Sequence, residues 1–156
     1  MSSDKLNMLL NELLNKQIPN IHSSKKLHFN DLKRISKYIN KSIFDDDNCC
    51  IWAGYITNER NISKGTYINF YFRKKKVALH RLLYINFIDD LDDNDYLKFN
   101  CNNKGKCCNV NHMKKFKYCN VEQNNERNNE QNLKLNHEET KNNDDELSDD
   151  LFITFD

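Results

Sequence analysis

Residues 101–113, CNNKGKCCNVNHM, hold Cys101, Cys107, Cys108 and His112, half of the six cysteines in a chain of 156 residues. Thiolate sulfur and imidazole nitrogen are the donors a tetrahedral zinc ion takes, and short spacings let one loop supply several of them without strain. Cys101, Cys107 and His112, spaced C-x5-C-x4-H, satisfy three positions. Cys108 could replace Cys107 by a shift of one residue, and the fourth donor has to come from Cys49, Cys50 or Cys119. The other use of clustered cysteines, a disulfide framework, belongs to oxidising compartments. The N-terminal MSSDKLNMLLNELL has neither the charge order nor the cleavage site of a secretory signal. No run approaches the ~18 apolar residues of a spanning helix, so the reading is a soluble, intracellular protein without a membrane partner.

Elements of both kinds must position these donors. Leu6, Leu9, Leu10, Leu13 and Leu14 recur at helical spacing and predict a helix over 4–16, stopped by Pro19. A second helix is predicted over 31–40, with Asn30 as its cap and Leu32, Ile35 and Ile39 as its apolar stripe. From Cys50 the character changes. IWAGYI, TYINFYF and RKKKVAL are β-branched and aromatic runs, the first two separated by polar TNERNISKG, which predicts an antiparallel hairpin or a three-stranded meander. In LHRLLYINFI, residues 79–88, Leu79, Leu82, Leu83 and Phe87 return to helical spacing, and DDLDDND follows as an acidic loop. The fold class is therefore α+β, read as a helical region over 1–44, a metal-binding region over 45–121 and an acidic tail over 122–156. Asparagine occurs 26 times and alanine only at Ala53 and Ala78, a bias that tracks AT-rich coding in a large DNA virus or an AT-rich eukaryote, so isolated asparagines are discounted as signals.

Three groups of residues stand in a suggestive order: Cys50, Trp52 and Gly54; then Ala78, His80, Arg81, Leu82 and Tyr84; then Cys101, Cys107, His112 and Met113. Over about residues 49–121 this frame resembles the zinc-braced His-Me finger nucleases, the HNH and His-Cys box homing endonucleases. The spacing departs slightly, since NNKGK stands where the family more usually has four residues. The resemblance implies a small zinc-stabilised ββα-type domain with antiparallel strands. It implies Cys50 as the fourth zinc ligand, tying the first strand to the cysteine loop. In that family a histidine two residues before the first paired cysteine activates water beside a Mg2+-type ion, and a helix asparagine binds that ion. Phe99 occupies the histidine position here, and the asparagine position falls near Val121, with Asn120 one place early. The resemblance thus implies a fold retained without nuclease activity, with magnesium needed only if cleavage survives. It also implies that His80 orients the loop or touches a phosphate.

Charge is split along the chain. Residues 1–121 carry 21 Lys and Arg against 12 Asp and Glu, whereas residues 122–156 carry 3 against 11. Arg73, Lys74, Lys75 and Lys76 form one basic run, and Lys114, Lys115 and Lys117 another; with His80 and Arg81 they are the candidate nucleic-acid contacts. Alternation of Tyr67, Asn69, Tyr71 and Arg73 with Ile68, Phe70 and Phe72 predicts a strand with one polar side outward. The tail has almost no apolar residues and is expected to be disordered, ending in LFITFD as a docking motif for a protein partner. The leucine-rich N-terminal helix is a second such element. The expected function is nucleic-acid binding, DNA foremost, in a nucleus or a viral replication compartment.

Overall fold

A computed structural model describes residues 2–118. Helix α1, Ser3–Lys16, starts at Ser2, whose hydroxyl accepts from the Lys5 N–H; Asp4 in its first turn and Lys16 in its last both suit the helix dipole. It buries Leu9, Leu10 and Leu13 of the predicted stripe, while Leu6 is half-buried and Leu14 is exposed. Helix α2, Phe29–Ser36, begins and ends earlier than its periodicity predicts. Its cap is His28 rather than Asn30, because the Asp31 carboxylate accepts from the His28 N–H at 2.9 Å. Ile39 is buried as expected but lies beyond the helix end.

Strands β1, Asn69–Phe72, and β2, Lys75–Ala78, form a tight antiparallel hairpin with Phe72 opposite Lys75. Along β1, Asn69 and Tyr71 are exposed while Phe70 and Phe72 are buried, the predicted alternation. Helix α3, Leu79–Phe87, follows β2 directly and is buried on nearly every side, which makes it the central helix of the core. Strands β3, Asp95–Phe99, and β4, Met113–Lys117, pair antiparallel and close residues 100–112 into a loop by setting Phe99 opposite Met113. The aromatic run 51–56 is not the strand its composition predicts. Ile51 makes an isolated bridge to Cys107, and the Trp52 N–H donates to the Lys106 carbonyl at 3.0 Å.

One core runs through all these elements. Leu13 of α1, Ile35 of α2, Leu83 of α3 and Leu97 of β3 are each almost wholly buried in it. Asn86, fully buried on α3, ties the N-terminal segment to that helix. Its Oδ1 accepts from the Leu27 N–H and from Gln17 Nε2, both at 2.9 Å, while its Nδ2 donates to the carbonyls of Lys25 and Leu82. The protein is therefore a small α+β fold of three helices and two antiparallel hairpins among the described residues.

Candidate metal centre

The short ladder between residues 50–52 and 106–108 brings the two halves of the site together. The Cys108 N–H donates to the Cys50 carbonyl at 2.7 Å, and the Ile51 bridge continues the pairing. Successive side chains on extended backbone point to opposite sides, so of each adjacent cysteine pair one residue faces the loop and the other the core. Cys49 and Cys107 face the loop. Cys50 and Cys108 are fully buried, and the Cys50 thiol donates to the Lys41 carbonyl at 3.4 Å. The donor atoms of Cys49, Cys101, Cys107 and His112 lie within 4.8 Å of one another. Cys50, the ligand implied by the resemblance, gives way to its neighbour because its side chain is turned into the core.

His112 Nδ1 stands 3.5 Å from Cys49 Sγ and 3.6 Å from Cys107 Sγ. Ligand bonds of ~2.3 Å to sulfur and ~2.0 Å to nitrogen, set at tetrahedral angles, place sulfur and nitrogen about 3.5 Å apart. The Cys3His cluster is therefore compatible with a metal ion such as zinc. The thiols are unequal. Burial pushes Cys107 up to about 12 and raises Cys101 as well. Burial also works to raise Cys49, but side-chain hydrogen bonds with Asn103, Cys101 and Cys107 outweigh it and leave that thiol below its ordinary value. A divalent cation reverses this pattern, since a coordinating thiol loses its proton outright.

Two supporting residues surround the cluster. His80 is fully buried, its ring edge-on to Phe99 at 4.8 Å, with Nε2 at 2.8 Å from the Cys107 carbonyl. Burial lowers its pKa to about 4, so the ring is neutral near pH 7 and Nε2 donates. Asn109 is likewise fully buried. Its Nδ2 donates to the carbonyls of Asp45 and Asn48, both at 2.7 Å, which anchors the turn that delivers Cys49. Its backbone N–H points at Cys107 Sγ at 3.4 Å. Sequence reasoning passed over Asn109 along with the other asparagines; its place between Cys107 and His112 was the available signal. Gly105 is demanded twice. Its φ is +75°, and a Cβ there would meet the Thr66 carbonyl oxygen at 2.0 Å.

The predicted nucleic-acid contacts fall into two sets. Lys74, Lys75, Lys76, Lys114 and Lys117 are exposed, as is Arg73, whose Nη2 lies 3.0 Å from His28 Nε2. Three others have partners within the fold. His80 is enclosed and cannot reach a phosphate. Arg81 donates to the Asp95 and Asp92 carbonyls at 2.7 and 3.0 Å, stapling the acidic loop to α3. Lys115 pairs with Asp89 at 2.7 Å, which holds that carboxyl below its usual range. Cys119, Asn120, the acidic segment and LFITFD lie outside the described residues.

Fold and site together define a small α+β protein with a Cys3His cluster suited to a metal ion. The chain is 61% identical over 117 residues to an uncharacterized protein of Acanthamoeba polyphaga mimivirus, a match over 75% of this chain and 34% of that relative. The chain thus spans about a third of the length of the curated relative it matches. No family model and no solved structure matches it. Among the described residues no helix is long and apolar enough to cross a membrane.

Proposed function

We propose that the chain binds nucleic acid, DNA foremost, on a zinc-braced scaffold of the HNH-like ββα kind, without nuclease activity. The observation that carries this reading is the tip of the β1–β2 hairpin. Arg73 and Lys74, with φ of 50° and 66°, are both left-handed. A two-residue hairpin turn needs that hand, and Asn-Gly supplies it most cheaply. Arg and Lys each cost about 1 kcal/mol there through their Cβ atoms. Strain of this kind collects where a side chain is needed for binding. Here it sets Arg73 and Lys74, followed by Lys75 and Lys76, at an exposed tip, with the Arg73 guanidinium 5.0 Å over the Phe72 ring. Four consecutive cations on a two-stranded ribbon suit the phosphate-lined groove of a duplex.

Other features support the rest of the reading. Strands β3 and β4 flank the cysteine loop, with Phe99 at the end of the first, so they would be the strand pair of the ββα unit, the family's helix position lying outside the described residues. Cys49, Cys101, Cys107 and His112 would hold the zinc, which supplies a cross-link between the segment before β1 and the β3–β4 loop. Phe99, at the family's general-base position, is buried and has no proton acceptor, and neutral His80 beside it is occupied with the Cys107 carbonyl. That arrangement favours binding over cleavage. A DNA-binding role fits a nucleus or viral replication compartment.

The test is fluorescence anisotropy of the full chain with a labelled duplex of about 20 base pairs across a salt series. Affinity is expected to fall steeply with salt, and Lys74→Ala or Lys75→Ala to reduce the log–log slope by about one each. Supercoiled plasmid should stay intact in Mg2+ or Mn2+. Binding that is absent, or indifferent to salt, overturns the reading.

A further inference from the structure

Between α2, the segment 52–55 and β1 lies an open cleft of about 460 Å3, within the size range of small-ligand sites. Its rim is aromatic to an unusual degree: Tyr55 is 81% exposed, Tyr71 58% and Tyr38 45%. Tyr38 leans on Trp52 with ring centres 5.1 Å apart. Gly54 belongs to the wall because the indole fills the space a side chain would need; a Cβ at that position would lie 2.5 Å from Trp52 Nε1. The lining includes Arg34 and Lys37 and no carboxylate. Arg34 is set in advance. Its guanidinium lies 4.3 Å over the Phe70 ring, and its Nη2 donates to Asp31 at 2.8 Å and to the Tyr71 carbonyl at 2.9 Å. The Asn69 side chain, exposed on the same side of β1 as Tyr71, offers an amide NH2 as donor and a carbonyl oxygen as acceptor at the mouth.

The exposed rings of Tyr55 and Tyr71, beside Arg34 and Lys37, match the two faces of a single nucleic-acid strand. Bases stack on the rings whatever their identity, and the backbone phosphates meet the cations. A proline-rich peptide also seeks aromatic grooves, but it offers no charge to Lys37 or to the part of the Arg34 guanidinium that Asp31 and the Tyr71 carbonyl leave open. We infer that this cleft holds the unstacked bases of a single nucleic-acid strand, with Tyr55 and Tyr71 as the stacking rings and Arg34 and Lys37 on its phosphates. The inference rests on the nucleic-acid reading above and adds a second site to it, separate from the duplex-directed hairpin tip.

Trp52 is the single tryptophan of the chain and lines the cleft, so its emission reports occupancy. The full chain is titrated with oligo(dT) and oligo(U) of about 15 nucleotides, and with a duplex of the same length. Quenching of Trp52 by a single strand but not by the duplex is expected. Tyr55→Ala and Tyr71→Ala, both at exposed positions, should weaken strand binding about tenfold per ring with the salt slope unchanged. Lys37→Ala should lower the slope by about one. Strand binding that leaves Trp52 emission unchanged and ignores both tyrosine variants overturns the cleft and leaves the hairpin-tip reading standing. Quenching by a proline-rich peptide and by neither oligonucleotide also overturns it. Failure of strand and duplex alike to bind with salt sensitivity removes both proposals.

Discussion

Between β3 and β4 the chain takes residues 100–112 to turn around, whereas between β1 and β2 it turns on Arg73 and Lys74 alone. The long connection is tied inward. Cys101, Cys107 and His112 converge with Cys49, and Asn109 anchors the turn before Cys49. Gly105 accepts the one left-handed position the loop requires, at little conformational cost. The short connection is opposite in each respect. Both its residues are left-handed without being glycine, and the side chains from Arg73 to Lys76 are like-charged and exposed. A loop that satisfies its polar groups and ties itself to a distant segment through Asn109 stabilises the fold. A tip that combines backbone strain with like charge opposes folding and is tolerated because the rest of the domain over-determines it.

The contrast breaks first at the brace. Cys49→Ser should abolish stoichiometric metal under reducing conditions and remove on the order of 5 kcal/mol or more of folding free energy, as should a chelator added to the unaltered chain. Cys50→Ser should keep the metal and cost only about 1–2 kcal/mol, because a hydroxyl can still donate to the Lys41 carbonyl. Metal analysis with thermal melts checks both; metal retained in Cys49→Ser and lost in Cys50→Ser would reverse the assignment.

A smaller effect lies beneath Cys107. His80 has a folded pKa of about 4 against an ordinary 6.5, so between those values the unfolded chain binds a proton that the folded chain does not. Stability then rises with pH across that window, and falling from pH 6.5 to 4 should cost about 3 kcal/mol. His80→Asn keeps a donor for the Cys107 carbonyl but cannot titrate. Denaturant melts of the two proteins at each pH isolate the contribution by difference, and parallel pH profiles would refute it.

The smallest and most diagnostic change is at the other hairpin. Arg73→Asn with Lys74→Gly should stabilise the fold by about 1–2 kcal/mol by relieving the left-handed strain. The same pair should weaken duplex binding and lower its salt slope by about two. A variant that is more stable yet binds DNA unchanged would leave the strained tip without a role.

Much of the fold was legible because its periodicities are clean. The leucines of α1, the alternation of β1 and the stripe of α3 each announce a buried face. Strands β3 and β4 were not foreseen. Their pairing spans residues 95–117, and MKKFK reads locally as a basic run rather than as a partner for DYLKF. Asn86 and Asn109 were hidden for a different reason. In a chain with 26 asparagines, residue type carries no information about which of them is buried.

Composition and spacing by themselves pointed to an α+β protein and to a cysteine loop whose donors suit a soft or borderline metal. They reach that far because ligand chemistry and amphipathic period are local properties. Only the tertiary structure decided that Cys49 joins the cluster, that His80, Arg81 and Lys115 have hydrogen-bond or ion-pair partners within the fold, and that Tyr55 and Tyr71 share a cleft with Arg34. Each of those outcomes depends on which side of an extended segment faces the core, or on which distant segment packs against it, and a single sequence does not encode either in its nearest neighbours.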